Sequence, residues 1–193
     1  MADNVALITW QEPSKAYKAL SDLRGGSWNL DIRQAAIVER SASGGLALKD
    51  GASNVIGLGT LSGSLIGAVV GVLAGPLGLL LGWSSGALFG ALVDVGRTAD
   101  TTTILSAMSS FIKPGRTALF LEVAEDGEDK LNAFVKESGG ELLRRPAEAV
   151  RAEVAAAAEA ADVAASEARK VLREKKWAEG REKLDRKSTR LNS

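Results

Sequence analysis

The distribution of hydrophobic and polar residues divides the chain into segments of three kinds. In residues 1–50 and 99–145, short apolar runs alternate with polar turns that contain glycine. From Gly51 to Val93 no residue is charged, and from Pro146 to about residue 184 alanine and charged residues dominate. Because period-two runs predict strands and period-3.6 runs predict helices, each kind of segment is expected to have its own architecture.

Two stretches of the first kind share the order strand, helix, Gly-Gly, strand. One comprises a strand over Val5–Trp10, a helix over 13–24 and a strand over 30–39. The other comprises a strand over Thr117–Val123, a helix over 129–138 and a strand over 141–144. A short strand over Leu46–Leu48 and a helix over 101–111, capped by Asp100, complete the pattern.

Two strand–helix–strand units in one chain predict an α+β fold, a ferredoxin-like split βαβ sandwich. On this interpretation residues 1–50 and 99–145 are the two halves of one α/β domain. Residues 51–98 are a glycine-zipper helical hairpin inserted between the halves, and residues 146–184 form a long Ala-rich helix. Joining Asp50 to Thr98 through a short linker is then expected to leave a folded α/β domain, because the cost of closing a loop grows slowly with its length.

Glycine recurs every fourth residue in the uncharged segment, on both sides of a central Gly75-Pro76 break. This spacing places one glycine per turn on a single helix face. Glycine costs about 1 kcal/mol relative to alanine in a soluble helix, whereas in a membrane small residues allow close helix packing. The predicted helix-packing residues are Gly59, Gly63, Gly67, Gly71, Gly75, Gly78, Gly82, Gly86 and Gly90.

Each arm of this hairpin is long enough to cross a hydrocarbon core of ~30 Å. The favoured interpretation is a protein of the bacterial inner membrane, with the lipid bilayer as partner, both termini cytoplasmic, and self-association through the glycines into a homo-oligomer. The alternative is a cytoplasmic homo-oligomeric scaffold or sensor with the hairpins packed in its centre. In either case, Gly67→Leu or Gly71→Leu should disturb packing more than Val69→Leu or Val70→Leu.

The Ala-rich helix places small apolar residues at spacings of three and four, with acidic residues in its first half and basic residues in its second. Three interpretations stay open: a solvated helix, a homo-oligomeric seam, or a basic end resting on anionic lipid. Residues 185–193 resemble the translation of a sequencing adapter. They are therefore set apart from the fold, and the natural C-terminus is expected to be missing.

Composition argues against an enzyme, a cofactor and a nucleic-acid partner. The chain has no histidine and no cysteine, and its 24 basic residues balance its 24 acidic ones. The usual general base, metal ligand and thiol nucleophile are thus absent, and there is no basic excess for phosphate contacts. We expect no catalytic residue, no metal and no cofactor, and no motif identifies a small-molecule ligand.

Two weaker motifs have simpler interpretations. Gly57, Gly59 and Gly63 approximate a dinucleotide-binding fingerprint, but the glycines keep recurring and no acidic residue follows at the distance of a ribose partner. The acidic stretch 125–129 is interpreted as a solvated turn, with a weak divalent-ion contact as the alternative.

Several segments together resemble a known family. These are ALITW, AAIVERSASGGLALKDG, the glycine-rich hairpin, ALVDVG and IKPGRTALFLEV. They are similar to the bacterial family called domain of unknown function 1269, over roughly Val5 to Arg145 and without the Ala-rich helix. The most specific parts are the VxR…G…LKD entry to the hairpin and PGRTALF. The resemblance implies a membrane protein and supplies no catalytic residues.

Overall fold

The structure of the protein is a computed structural model, and it describes residues 2–42, 44–49, 55–56, 64–74 and 103–191. The strands are β1 (Ala2–Thr9), β2 (Asp31–Arg40), β3 (Leu46–Leu48), β4 (Val55–Ile56), β5 (Thr117–Glu125) and β6 (Glu141–Pro146). The helices are α1 (Pro13–Arg24), α2 (Leu65–Ala74), α3 (Ile104–Phe111), α4 (Asp129–Ser138) and α5 (Ala147–Leu191). Most of the predicted hairpin over 51–98 lies outside the described residues.

The strands form one antiparallel sheet in the order β3-β2-β5-β1-β6, and β4 pairs with the same edge of β2 as β3 does. Phe120 of β5 lies at the centre of the register, opposite Leu7 of β1 on one side and Ala36 of β2 on the other. Both β1 and β2 are antiparallel to β5, so they run parallel to each other with β5 between them. The α+β class predicted from the sequence is confirmed.

The helices of the two strand–helix–strand units have the predicted bounds because their end signals are local. Pro13 occupies the first turn of α1, where its missing N–H costs nothing, and the basic residue Arg24 lies in the last turn. Helix α4 ends at Gly139, whose φ of 69° is the left-handed conformation that glycine adopts readily. Apolar residues at helical spacing direct one face of each helix toward the sheet.

Both faces of the sheet are covered by helices. The first face packs against α1 and α4, with Ile8, Leu119 and Leu121 among its buried residues. The second face packs against α2, α3 and the start of α5, with Leu7 and Phe120 among its buried residues. All nine residues of β5 are buried, which explains why this strand reads as a nearly continuous apolar run.

Two predicted elements differ from the structure. Val55 and Ile56, assigned to the helical hairpin, form strand β4 beside β2; both are β-branched, and the edge of β2 offers unpaired backbone groups. Helix α3 is capped by Thr103, whose side chain accepts a hydrogen bond from the N–H of Ser106, and not by Asp100. The cap lies next to the first buried turn because the capping hydroxyl must reach an N–H two or three residues ahead.

The long helix α5 takes part in two compact units. The unit that contains the sheet ends at Ala157, and residues 158–193 form the second unit. Val150, Val154 and Ala157 are buried in the core on the second face of the sheet. These three residues begin the series of small apolar residues that the sequence offered as a homo-oligomeric seam, and here they pack α5 onto the sheet. In the second unit, Val171 and Leu172 are exposed.

Candidate functional site

Helix α2 is the helical part of the glycine-rich segment that the structure describes, and it is built into the domain core. The side chain of Ser64 accepts a hydrogen bond from the N–H of Gly67 at 3.0 Å and so caps the first turn. The apolar residues of the helix are buried against the second face of the sheet: Leu65, Ile66, Val69, Val70 and Leu73. This large apolar face contacts protein.

The burial of α2 revises two expectations drawn from the sequence. Val69 and Val70 lie in the core, so Val→Leu at either position would overpack it, and a mild effect is no longer expected. Joining Asp50 to Thr98 would remove α2 and expose the sheet surface that it covers. We therefore expect the shortened chain to be destabilised or aggregated, and not independently folded.

The glycines of α2 lie away from the sheet. Gly71 is exposed, and a Cβ atom placed on it would meet no described atom within 4 Å. Gly67, one turn earlier, is partly exposed. The large apolar side chains and the glycines thus occupy different faces of one helix. The other seven predicted packing glycines lie outside the described residues: Gly59, Gly63, Gly75, Gly78, Gly82, Gly86 and Gly90.

Helix α3, which follows the glycine-rich segment in the chain, is held at its N-terminus by a carboxylate of α5. The two oxygens of Glu153 accept hydrogen bonds from the N–H groups of Ile104 and Leu105, at 2.8 and 3.2 Å. These N–H groups have no partner within the helix, and a negative charge at this end is favoured by the helix dipole. Glu153 therefore ties α3 to α5.

Arg40 holds the C-terminal end of α3. Its guanidinium, almost fully buried, donates to the carbonyl oxygens of Ser109 and Ile112 at 2.5 and 2.9 Å, and to that of Gly44 at 3.0 Å. Burial lowers the pKa of Arg40 from its ordinary value. A cation at this end is favoured by the helix dipole, so charged side chains stabilise α3 at both of its ends.

The two most specific sequence segments of the family resemblance meet at Arg40. The backbone N–H of Arg40 donates to the carbonyl of Arg116, and the N–H of Gly115 donates to the carbonyl of Arg40. Gly115 has a φ of 76°, a left-handed conformation that side chains other than glycine seldom adopt. The VxR and PGRTALF segments therefore form one structural unit that supports α3.

The acidic stretch 125–129 is not a uniformly solvated turn. Glu125 is buried at the end of β5, where Arg144 of β6 forms an ion pair with it at 2.9 Å and Asn4 donates to it at 2.8 Å. Arg144 also pairs with Glu128. Within the described ranges, no group of three or more potential metal ligands is arranged to hold a metal ion. Glu125 and Arg144 join β5 to β6.

A second buried carboxylate was missed by the sequence analysis. Glu122, in the middle of β5, forms an ion pair with Arg151 of α5 across the second face of the sheet. An acidic residue inside an otherwise apolar strand is the sequence signal that could have revealed this pair, since buried charges are usually paired. The pair links the start of α5 to the sheet.

Fold and site together define an α+β domain in which a glycine-containing helix is built into one face of the sheet. Over the described part of the chain, no helix has both the length and the apolar composition to cross a membrane.

Residues 60–159, more than half of the chain, match the model of "Protein of unknown function (DUF1269)", and the chain belongs to this family. The resemblance stated from the sequence is thereby confirmed. The match also extends beyond Arg145 into α5, as far as the turns that pack on the sheet. No curated protein and no solved structure matched the chain.

Proposed function

We propose that the protein is a non-enzymatic homo-oligomeric scaffold whose copies pack together through the glycine face of α2. The observation that carries this proposal is the placement of Gly71 on the exposed side of a helix whose opposite side lies in the domain core. A helix that only covered a sheet would gain about 1 kcal/mol from alanine in place of each glycine. Glycines at these positions would instead allow the backbone of a second helix to pack closely against α2.

The packing around α2 holds its glycine face in a defined position on the domain. Large apolar residues on one side anchor the helix to the sheet, and α3 beside it is held by Glu153 and Arg40. A contact surface on a rigid support loses little conformational entropy on association. The absence of histidine and cysteine from the sequence supports the non-enzymatic part of the proposal.

Attachment to a lipid bilayer is a second candidate, and the uncharged segment favours it. No residue from Gly51 to Val93 carries a charge, and this segment continues well beyond the end of α2. In this version the glycine-rich segment associates with the bacterial inner membrane, both termini are cytoplasmic, and the glycine contacts form next to or within the lipid. Carbonate-resistant fractionation of the full chain separates the two candidates: retention in the membrane pellet supports attachment, and release supports the scaffold alone.

We further infer that the sheet is a ferredoxin-like split βαβ sandwich. Its four long strands follow the order β2-β5-β1-β6, every neighbouring pair is antiparallel, and α1 and α4 pack on one face. Right-handed crossovers through both helices are expected for this class. An experimental structure with a left-handed crossover would refute the assignment.

The test of self-association compares two substitutions at one position. Gly71→Leu adds bulk where a partner backbone should lie, at an expected cost of about 1–3 kcal/mol, which weakens the association about 5- to 150-fold. Gly71→Ala should have a smaller effect in the same direction. Ala133→Leu is the matched control, because Ala133 is an exposed residue of a helix on the other face of the sheet.

Light scattering coupled to size-exclusion chromatography, over a range of protein concentrations, measures the association. The proposal predicts that Gly71→Leu shifts the oligomer toward monomer while Ala133→Leu leaves it unchanged. A wild-type chain that is monomeric at all concentrations, or equal effects of the two leucine substitutions, would contradict the glycine-face contact.

A further inference from the structure

A cavity of about 230 Å³ lies at one end of the sheet, where β1 ends and β5 begins. Its walls come from the segment that joins β1 to α1, the ends of α3 and α4, and the first residue of β6. The lining includes three basic residues, Lys15, Lys113 and Arg116. No element of the proposed scaffold contact lies here, so the cavity needs its own explanation.

The three basic side chains have no acidic partner among the described residues. No carboxylate of the described residues lies within ion-pair distance of Lys15 or Lys113, and both side chains are exposed. Arg116 donates from one terminal nitrogen to the backbone carbonyls of Trp10 and Gln11, at 3.3 and 2.6 Å. These two contacts fix the guanidinium and leave its remaining N–H groups for another acceptor.

The N-terminus of α1 lies at this cavity and has no side-chain cap. Glu12 is the N-cap residue, but its side chain makes no capping hydrogen bond, and the first turn contains no acidic residue. Instead the first turn contains Lys15, a cation at the end of the helix where the dipole favours an anion. An anion in the cavity would compensate this cation. The first-turn N–H groups contribute little, since Pro13 has none and that of Lys15 donates to the carbonyl of Glu12 at 3.1 Å.

A hydroxyl group adds a possible hydrogen-bond donor to the lining of the cavity. Thr9 is 8% exposed and lines the cavity. Its side chain makes no hydrogen bond with any described residue. The hydroxyl is therefore available to donate a hydrogen bond to a ligand oxygen in the cavity.

The cavity also contains features that set the size and charge of a ligand. Trp10 is held by a hydrogen bond from its indole N–H to the carbonyl of Ser138, and Phe111 contributes apolar surface. Two exposed carboxylates, Glu12 and Glu141, line the same cavity, so the three cations leave a net lining charge of +1. At about 30 Å³ per water, the volume corresponds to roughly eight waters, enough for a phosphate group with a small substituent.

We propose that this cavity binds a phosphate monoester, with Arg116 and the two lysines on the phosphate oxygens and the Thr9 hydroxyl as an additional donor. A phosphate monoester carries about −1.5 to −2 charges at pH 7, which matches several convergent cations better than a carboxylate does. The phosphate belongs either to a small soluble ester or to the headgroup of a lipid such as phosphatidic acid. Both sources offer the same group to the cavity.

The test is a calorimetric titration of the full chain with glycerol 3-phosphate. The proposal predicts saturable binding that weakens as NaCl is added. Lys113→Gln should weaken it about fivefold, since Lys113 is exposed and makes no contact that the fold needs. Glu141→Gln should strengthen binding by a similar factor, because it removes a repulsive carboxylate. Arg33→Gln is the matched control, since Arg33 pairs with Asp3 outside the cavity, and it should leave the affinity unchanged.

A vesicle arm identifies the source of the phosphate. Phosphatidylcholine vesicles with and without phosphatidic acid are sedimented with the wild-type chain and with the same three variants. Binding to phosphatidic acid in the absence of glycerol 3-phosphate binding, with the same order of variants, supports the lipid headgroup. If neither probe binds, or if Lys113→Gln and Arg33→Gln weaken binding equally, the proposed site is wrong.

Discussion

Truncation of Ile66 to alanine tests whether α2 belongs to the core of the domain. Ile66 is 0% exposed and lies in the apolar cluster on the second face of the sheet, together with Leu7, Phe120 and Leu105. The substitution removes three carbon atoms, and at ~0.8 kcal/mol per buried CH₂ the transfer loss is about 2.4 kcal/mol. The unfilled cavity raises the expected cost to about 2–5 kcal/mol.

A cost of this size is large for a domain of ordinary stability, about 5–15 kcal/mol. Urea unfolding followed by far-UV circular dichroism measures it as a lower transition midpoint with an unchanged slope. Two protein concentrations are needed, because self-association would add a concentration-dependent contribution to stability.

The control is Val72→Ala in the same helix, because Val72 is only partly buried. Its expected cost is below about 1 kcal/mol, since less apolar surface is lost and alanine is a better helix former than valine. If the two truncations cost the same, α2 does not pack on the sheet. The glycine-rich segment would then be separable from the domain, as the sequence pattern alone indicated.

Three further substitutions test contacts that hold the helices and strands together, all by the same unfolding assay. Glu153→Gln should cost about 0.5–2 kcal/mol, because it weakens the cap of α3, and a loss no larger than that of the exposed Glu159→Gln would argue against the cap. Arg144→Met should cost about 3–5 kcal/mol, because a buried carboxylate loses its cation; a cost below about 1 kcal/mol, typical of exposed pairs, would show that the pair is solvated. Gly140→Ala should destabilise the domain, because its Cβ would lie 2.7 Å from the Cγ2 atom of a neighbouring isoleucine. At Gly127 no described atom lies within 4 Å of an added Cβ, so Gly127→Ala should be tolerated. Equal losses of stability for Gly140→Ala and Gly127→Ala would contradict this steric argument.

The candidate site shows the limits of reasoning from the sequence at individual residues. Gly67 and Gly71 were predicted from their spacing, and the structure adds that they lie on the side of α2 away from the sheet. Arg40 was part of a family segment, but nothing local indicated that its side chain reaches the end of a helix 69 residues later in the chain. Glu125 was assigned to a solvated turn because its sequence neighbours are acidic. Its burial depends on Arg144, which comes from a different strand.

Most of the strands and helices outside the glycine-rich segment can be predicted from the sequence alone. Their signals are local: alternation in the strands, apolar residues three and four apart in the helices, and proline or glycine at the ends. The bounds of Pro13–Arg24 and Asp129–Ser138 follow from these signals without any knowledge of the partners. The α+β class also follows, because two strand–helix–strand units limit the ways in which the chain can form a sheet.

What the apolar face of α2 contacts depends on the assembled fold and cannot be predicted from the sequence pattern. An uncharged helix can bury its large side chains against lipid, against another copy or against its own sheet, and the pattern of residues is the same in each case. Which of these contacts forms depends on whether the second face of the sheet leaves apolar surface that α2 can bury. That surface arises only after strands far apart in the chain have paired and left Leu7, Ala36 and Phe120 exposed on one side. Apolar area removed from water is a property of the assembled surface, which no local stretch of sequence specifies.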